Sequence, residues 1–174
     1  MEARDLSTDR IPSFELAMRI RHPNFDPADV SRELQLEPEH SFKAGDPRTS
    51  SSGIAAAAVH AESYWLCRLD PEMLPSPIGT LDDPPAARRT RARMAAERFR
   101  AMTDESIGLT LSMFATYFLR AHKDFMRRVQ SEGGEISVIV AISAPNVPGF
   151  KLLPQTSRAL SDLGITLEVE FATD

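Results

Sequence analysis

Strict alternation of apolar and polar side chains, recurring near both ends, constrains this chain more than any other feature. Near the N-terminus Phe14, Leu16, Met18 and Ile20 alternate with Glu15, Ala17, Arg19 and Arg21. Near the C-terminus Ile136, Val138, Val140 and Ile142 alternate with smaller or polar residues, and Ile165, Leu167, Val169 and Phe171 repeat the pattern after Gly164. A period of two marks a strand with one buried face. The first alternating segment leads to a helix start at Asp26-Pro27-Ala28-Asp29, with Asp26 as N-cap and Pro27 at the first helical position. The second leads through a Pro-rich loop into a short helix that stops at Gly164. These two half-units predict an α+β protein with helices packed on a mainly antiparallel sheet.

Between them the chain is less regular. Residues 1–11 read as a loose tail. Val30, Leu34 and Leu36 face inward from the first helix region, which Pro38 ends. Phe42 to Pro47 reads as a brief extended piece that closes in a turn at Gly45-Asp46. Residues 48–58, with Thr49-Ser50-Ser51-Ser52-Gly53 and four consecutive alanines, read as a loop with a short helical turn. Ser63–Leu69 is a strand with Trp65, Cys67 and Leu69 on one face. Residues 70–85 are rich in Pro and Asp, as a linker is, and the Arg-rich stretch after them places Met94, Ala95, Phe99 and Met102 at near-helical spacing. The strongest helical signal runs from about Asp104 to Glu132, where Ile107, Leu111, Phe114, Phe118, Ala121, Phe125 and Val129 form one stripe. Gly133-Gly134 terminates it.

The predicted order is strand, helix, strand, strand, helix, strand, helix, strand. Its first six elements match a ferredoxin-like βαββαβ sandwich, with an extra C-terminal helix–strand unit appended. A length of 174 residues suits one domain covering 1–174, with residues 70–104 as an insertion. No run of 18 apolar residues exists, which argues against a membrane-spanning helix. Met1 to Arg10 lacks the apolar core of a secretory leader, and a single cysteine, Cys67, suits a reducing compartment. A cytoplasmic protein is the expectation.

Charge is spread unevenly. Residues 86–102 hold Arg88, Arg89, Arg91, Arg93, Arg98 and Arg100 against one acid, Glu97, a local balance of +5. The whole chain carries −5, which leaves −10 for the remainder. An acidic body weighs against general nucleic-acid binding and favours a basic protein partner. The arginine run reads as a solvated face, because only Phe99 is interleaved for base stacking.

Catalytic patterns are missing from the sequence. His22, His40, His60 and His122 fall in separate segments with no metal-ligand spacing, so neither a metal nor another cofactor is expected. Cys67 is in phase with Trp65 and Leu69 inside a strand, the setting of an inert buried thiol rather than a nucleophile. No nucleophile elbow, P-loop or dinucleotide-binding glycine motif is present. Carboxylate pairs such as Asp82-Asp83 and Asp104-Glu105 sit where helix starts need them. The chain reads as a non-enzyme.

One set of residues carries a resemblance. A strand, Phe25-Asp26-Pro27 opening a helix, Leu36-Glu37-Pro38, then Lys43-Ala44-Gly45-Asp46, then Trp65 in a strand resembles the bacterial family catalogued as domain of unknown function 4279. The unit from Leu160 to Phe171 is similar to that family's end. The resemblance brings no established activity. It singles out Lys43, Gly45, Asp46 and Trp65 as candidate binding residues: Gly45 permits a turn at positive φ, Asp46 bonds nearby amides, and Trp65 offers a large anchor.

Two functions follow as expectations. The first is a protein-binding domain acting on a basic partner, in its sharpest form an immunity-type antagonist of a basic bacterial toxin, or one that self-associates. The second is a small-ligand regulatory module, since Leu152 to Ser157 and Leu163-Gly164-Ile165-Thr166 look like the helix start and exit of amino-acid-binding domains of the ACT type.

Overall fold

A strand that alternates strictly and is flanked on both sides becomes the axis of a sheet, and β1 (Ser13–His22) does so here. A computed structural model describes residues 13–49, 55–69, 105–143 and 150–172. After β1 come α1 (Pro27–Leu34), β2 (His40–Phe42), β3 (Pro47–Thr49), β4 (Ala55–Val59) and β5 (Ser63–Arg68). Then follow α2 (Glu105–Met113), a π-helical stretch (Phe114–Leu119), α3 (Lys123–Ser131), β6 (Glu135–Ser143), α4 (Pro154–Asp162) and β7 (Thr166–Ala172). The main sheet has the order β2-β5-β1-β6-β7. All its pairings are antiparallel except β6 with β7, which run parallel through the α4 crossover. The protein is of mixed α and β content, with a five-stranded, mostly antiparallel sheet and, among the described residues, four α-helices.

Register assigns the two faces. Leu16, Met18 and Ile20 share one face with Trp65, Cys67, Ile136, Val138, Val140 and Ile142. These residues join Val30, Leu34, Leu111, Phe114, Leu119, Met126 and Leu160 in one apolar cluster, so the helices lie on that side. Asp26 caps α1 as expected, accepting the Ala28 N–H at 2.9 Å, and Gln35 closes it in the left-handed conformation at φ 56. Trp65 is fully buried beneath α1, and its indole N–H donates to Ser31 Oγ at 3.1 Å. None of the helices among the described residues is long and apolar enough to cross a membrane.

Four local expectations are corrected. The alanines of Ala55–Val59 form β4, paired antiparallel with β3, and not a loop with a helical turn. Alanine favours helix, but a run this short cannot nucleate one, and pairing with Pro47–Thr49 decides. The extended piece lies earlier than expected, at His40–Phe42, and Lys43–Asp46 is all turn. The long helix is not one regular α-helix. The π-helical turns of Phe114–Leu119 are wider and displace the stripe that follows. Ala121 is exposed, while Ala115, Leu119 and Met126 are buried in addition to Phe114, Phe118, Phe125 and Val129. Phe114 and Phe118 stack at 5.1 Å within this stretch.

The fourth correction concerns β7. Ile165 is buried, but the apolar row emerges along the strand, with Val169 38% and Phe171 53% exposed. The strand lies at the sheet edge, and its far end carries apolar side chains into solvent. The linker at 70–85 and the helical spacing from Met94 to Met102 lie outside the described residues.

The helix α3 ends as the glycine pair predicts. Gly133 takes φ +87, and the Gly134 N–H donates to the Val129 carbonyl at 2.8 Å. A Cβ on Gly134 would meet Val129 Cγ1 at 2.6 Å and His22 Cδ2 at 2.8 Å. Only glycine lets the start of β6 lie this close to the end of β1.

The displaced stripe is directly testable. Ala121→Lys is expected to change the urea midpoint little, within about 0.5 kcal/mol. Phe114→Ala is expected to cost about 3–5 kcal/mol, because it opens a cavity in the core. A large loss from Ala121→Lys in equilibrium unfolding would restore the regular helix.

Candidate functional site

The turn singled out by sequence is held by its own backbone and by a buried serine. Gly45 has φ +88 with open space where a Cβ would sit. Asp46 N–H donates to the Lys43 carbonyl at 3.1 Å, and Asp46 Oδ2 accepts the Lys43 N–H at 2.8 Å, so the carboxylate closes the turn. Lys43 Nζ lies 3.3 Å from Asp26 Oδ2, which ties the turn to the start of α1. Gly45 N–H donates to the His60 carbonyl and His60 N–H to the Asp46 carbonyl, at 2.9 and 3.0 Å. Ser63, fully buried, accepts the Ala44 N–H at 2.9 Å and donates to the Phe25 carbonyl at 2.7 Å.

Lys43, Gly45 and Asp46 are thus brought together. Trp65 shares β5 with Ser63, but among the described residues its recorded hydrogen bond goes to α1 and none joins it to Asp46. Sequence reasoning missed Ser63. The available signal was its place two residues before Trp65, on the buried phase of the strand.

The opposite face of the sheet has a different chemistry. Glu15, Ala17, Arg19 and Arg21 of β1 share it with Tyr64, Leu66 and Arg68 of β5 and with Ser137, Ile139 and Ala141 of β6. Register adds Glu168 and Glu170 from β7, and His40 and Phe42 from β2. Arg19 bonds to Glu168, and Arg21 bonds to Glu135 with Glu62 at 3.9 Å. Arg68 bridges Glu15 at 3.3 Å and Glu39 at 3.4 Å. Five carboxylates therefore pair with three guanidinium groups on and beside this face, and Glu170 adds a sixth. The excess is negative.

At the Arg21 end the face deepens into a cleft of about 420 Å³, lined by Arg21, Pro23, Phe42, Arg48, His60 and Glu62 among others. Arg48, from β3, adds a fourth cation at this rim. The His60 ring stacks on Phe42 at 3.6 Å, and Phe42 stacks in turn on Tyr64 at 5.1 Å. Below the cleft lies His22, largely buried. Its Nδ1 accepts the Asn24 N–H at 3.0 Å, which leaves the proton on Nε2, 3.6 Å from Glu132 Oε2. The Nε2 atom is itself sealed from solvent.

Two carboxyls are held below their ordinary range by their surroundings. The Ser137 hydrogen bond, and then the charge of Arg19, hold the Glu168 carboxyl below the usual glutamate range. The Ala28 N–H, and then Lys43, do the same for Asp26. Burial pushes the Cys67 thiol up, with Glu39 and Glu37 adding to it, so Cys67 is a protonated core residue and not a nucleophile poised for attack. Among the described residues no group of three His, Cys, Asp or Glu side chains is placed to hold a metal ion.

No protein-family model matches this chain, and neither the curated proteins nor the solved structures yield a match.

Ser63→Ala is expected to cost about 1–3 kcal/mol, because it removes the partner of both the Ala44 N–H and the Phe25 carbonyl at a part-buried site. Thermal unfolding at fixed pH reads this directly. The pH dependence has a definite sign. A carboxyl whose pKa is lowered by folding stabilises the fold above its unfolded pKa, and that contribution is lost as pH falls through the folded value. Replacing Glu168→Gln and Asp26→Asn together is expected to make the loss of stability below the carboxylate range shallower. An unchanged acid limb in denaturant titrations would show that neither pairing acts.

Proposed function

We propose that this chain is a non-enzymatic binding domain whose partner is a basic protein. Its sharpest form is an immunity-type antagonist of a basic bacterial toxin, neutralised by occlusion rather than by turnover. The observation that carries this reading is the sheet face opposite the helical core, where five carboxylates pair with three guanidinium groups, Glu170 adds a sixth carboxylate and Arg48 a fourth cation, which leaves a negative excess among the described residues. The arginines keep the carboxylates in fixed positions, and the net excess attracts a cationic surface. The −10 balance outside residues 86–102 extends the same field beyond the face.

The architecture we propose is a ferredoxin-like unit with an added helix–strand. The order β2-β5-β1-β6 and the antiparallel pairing of β1 with both neighbours support it, with β3–β4 as an inserted hairpin and α4–β7 as the addition. Membership of the family that the Lys43–Asp46 turn and Trp65 resemble is part of the same proposal.

Steering by charge acts on encounter more than on escape. For a basic protein captured by this chain, association is expected to slow about tenfold from low to physiological salt, with a smaller change in dissociation. Glu15→Lys and Glu170→Lys together are expected to slow association further while leaving thermal unfolding unchanged. Surface-plasmon measurements over a salt series test both. Association that ignores salt and both reversals would defeat the reading.

A further inference from the structure

The edge strand β7 presents two unlike rows of side chains. Leu167, Val169 and Phe171 register with Val138, Val140 and Ile142 on the helix-covered side. Thr166, Glu168 and Glu170 register with Ser137, Ile139 and Ala141 on the opposite side. Among the described residues only β6 pairs with β7, and no strand of them meets the N–H and C=O groups along its other edge. The apolar row is not covered at its end, where Val169 is 38% and Phe171 53% exposed. Such an edge takes up another strand unless something opposes it.

We propose that β7 is the docking edge for an extended segment of the basic partner, in which apolar residues alternate with Lys or Arg. This rests on the binding function proposed above and specifies its mode. Backbone hydrogen bonds to β7 supply affinity, and the two rows select the sequence. Apolar side chains of the added strand lie beside Val169 and Phe171, and its cations lie beside Glu168 and Glu170. Charge also argues against a second copy of this chain in the same place. Antiparallel pairing of β7 with itself about Val169 sets Glu168 opposite Glu170 of the copy, and like charges directly opposite are destabilising.

The test uses the full chain and three synthetic peptides of about ten residues, a length that spans one strand. In the first, Lys and Val alternate; the second has the same sequence with alternate backbone amides N-methylated; the third is oligolysine. By fluorescence anisotropy the first is expected to bind at least about tenfold more tightly than the second, a difference that backbone pairing alone supplies. Val169→Thr with Phe171→Ser is expected to weaken the first peptide and leave oligolysine unaffected. Equal binding of the first two peptides overturns strand addition while the acidic-face reading survives. Failure of all three at low salt, oligolysine included, overturns both. Sedimentation showing a peptide-free dimer that Phe171→Ser dissolves assigns the edge to a second copy, and overturns the proposal as well.

Discussion

The pairing of β1 on both of its edges is the constraint on which the rest of the structure depends. Met18 faces Cys67 on one side and Val138 on the other, and Ile20 faces Trp65 and Ile136. A slip of one residue in either pairing moves every side chain of β1 to the wrong face. It would drive Arg19 and Arg21 beneath the helices and lift Met18 and Ile20 into solvent. Burying an unpaired guanidinium is costly enough to exclude that register. The same alternation that builds the core thus places the row of ion pairs on the opposite face. Core and candidate surface are one decision of the sequence.

Where β1 ends, polar side chains are buried, and Ser63 and the Nδ1 atom of His22 find partners locally, while His22 Nε2 makes no hydrogen bond among the described residues. His22 is in phase with the core residues of β1, yet its ring is held by the Asn24 N–H at Nδ1 and lies 5.4 Å from Phe25. Gly134 makes room for it. Ser63, paired with His22 across β1 and β5, gathers the Lys43–Asp46 turn and the Phe25 carbonyl. The loop before α1, the turn after β2 and the end of α3 therefore meet around two buried polar side chains. A buried hydrogen-bonded group of this kind fixes geometry more than it adds net stability.

Much of this was legible in the sequence, because the signals were local. The α1 cap at Asp26, the strands at β1, β5 and β6, the left-handed Gly45 and the glycine stop after α3 each follow from a few adjacent residues. What escaped was decided at a distance. The alanines of β4 form a strand because Pro47–Thr49 pairs with them. The π-helical turns leave no mark in a stripe that reads well for a regular helix, and that stripe puts Ala121 inside. The apolar row of β7 has the same pattern as that of β6, and only sheet order distinguishes a covered strand from an edge. The candidate residues Lys43, Gly45 and Asp46 were legible as a turn, but the acidic face was not. Its carboxylates come from β1, β6, β7 and the approaches to β2 and β5, and no local window contains them.

That dispersal bears on how the surface works. Glu15 and Glu39 meet at Arg68, and Glu62 and Glu135 meet at Arg21, although each pair is far apart in sequence. A guanidinium shared between two carboxylates cannot neutralise both, so each arginine fixes a local negative surplus in place. Because these groups are at least partly exposed, the individual pairs add little to stability. Their effect is geometric: they hold charge on a rigid sheet, where little ordering is left to be done when a cation approaches. The β7 edge lies beside the same field, with Glu168 already tied to Arg19 and Glu170 at the outer end. A face that attracts cations and an edge that accepts a strand are thus adjacent on one rigid element, and an approaching basic segment meets the two together.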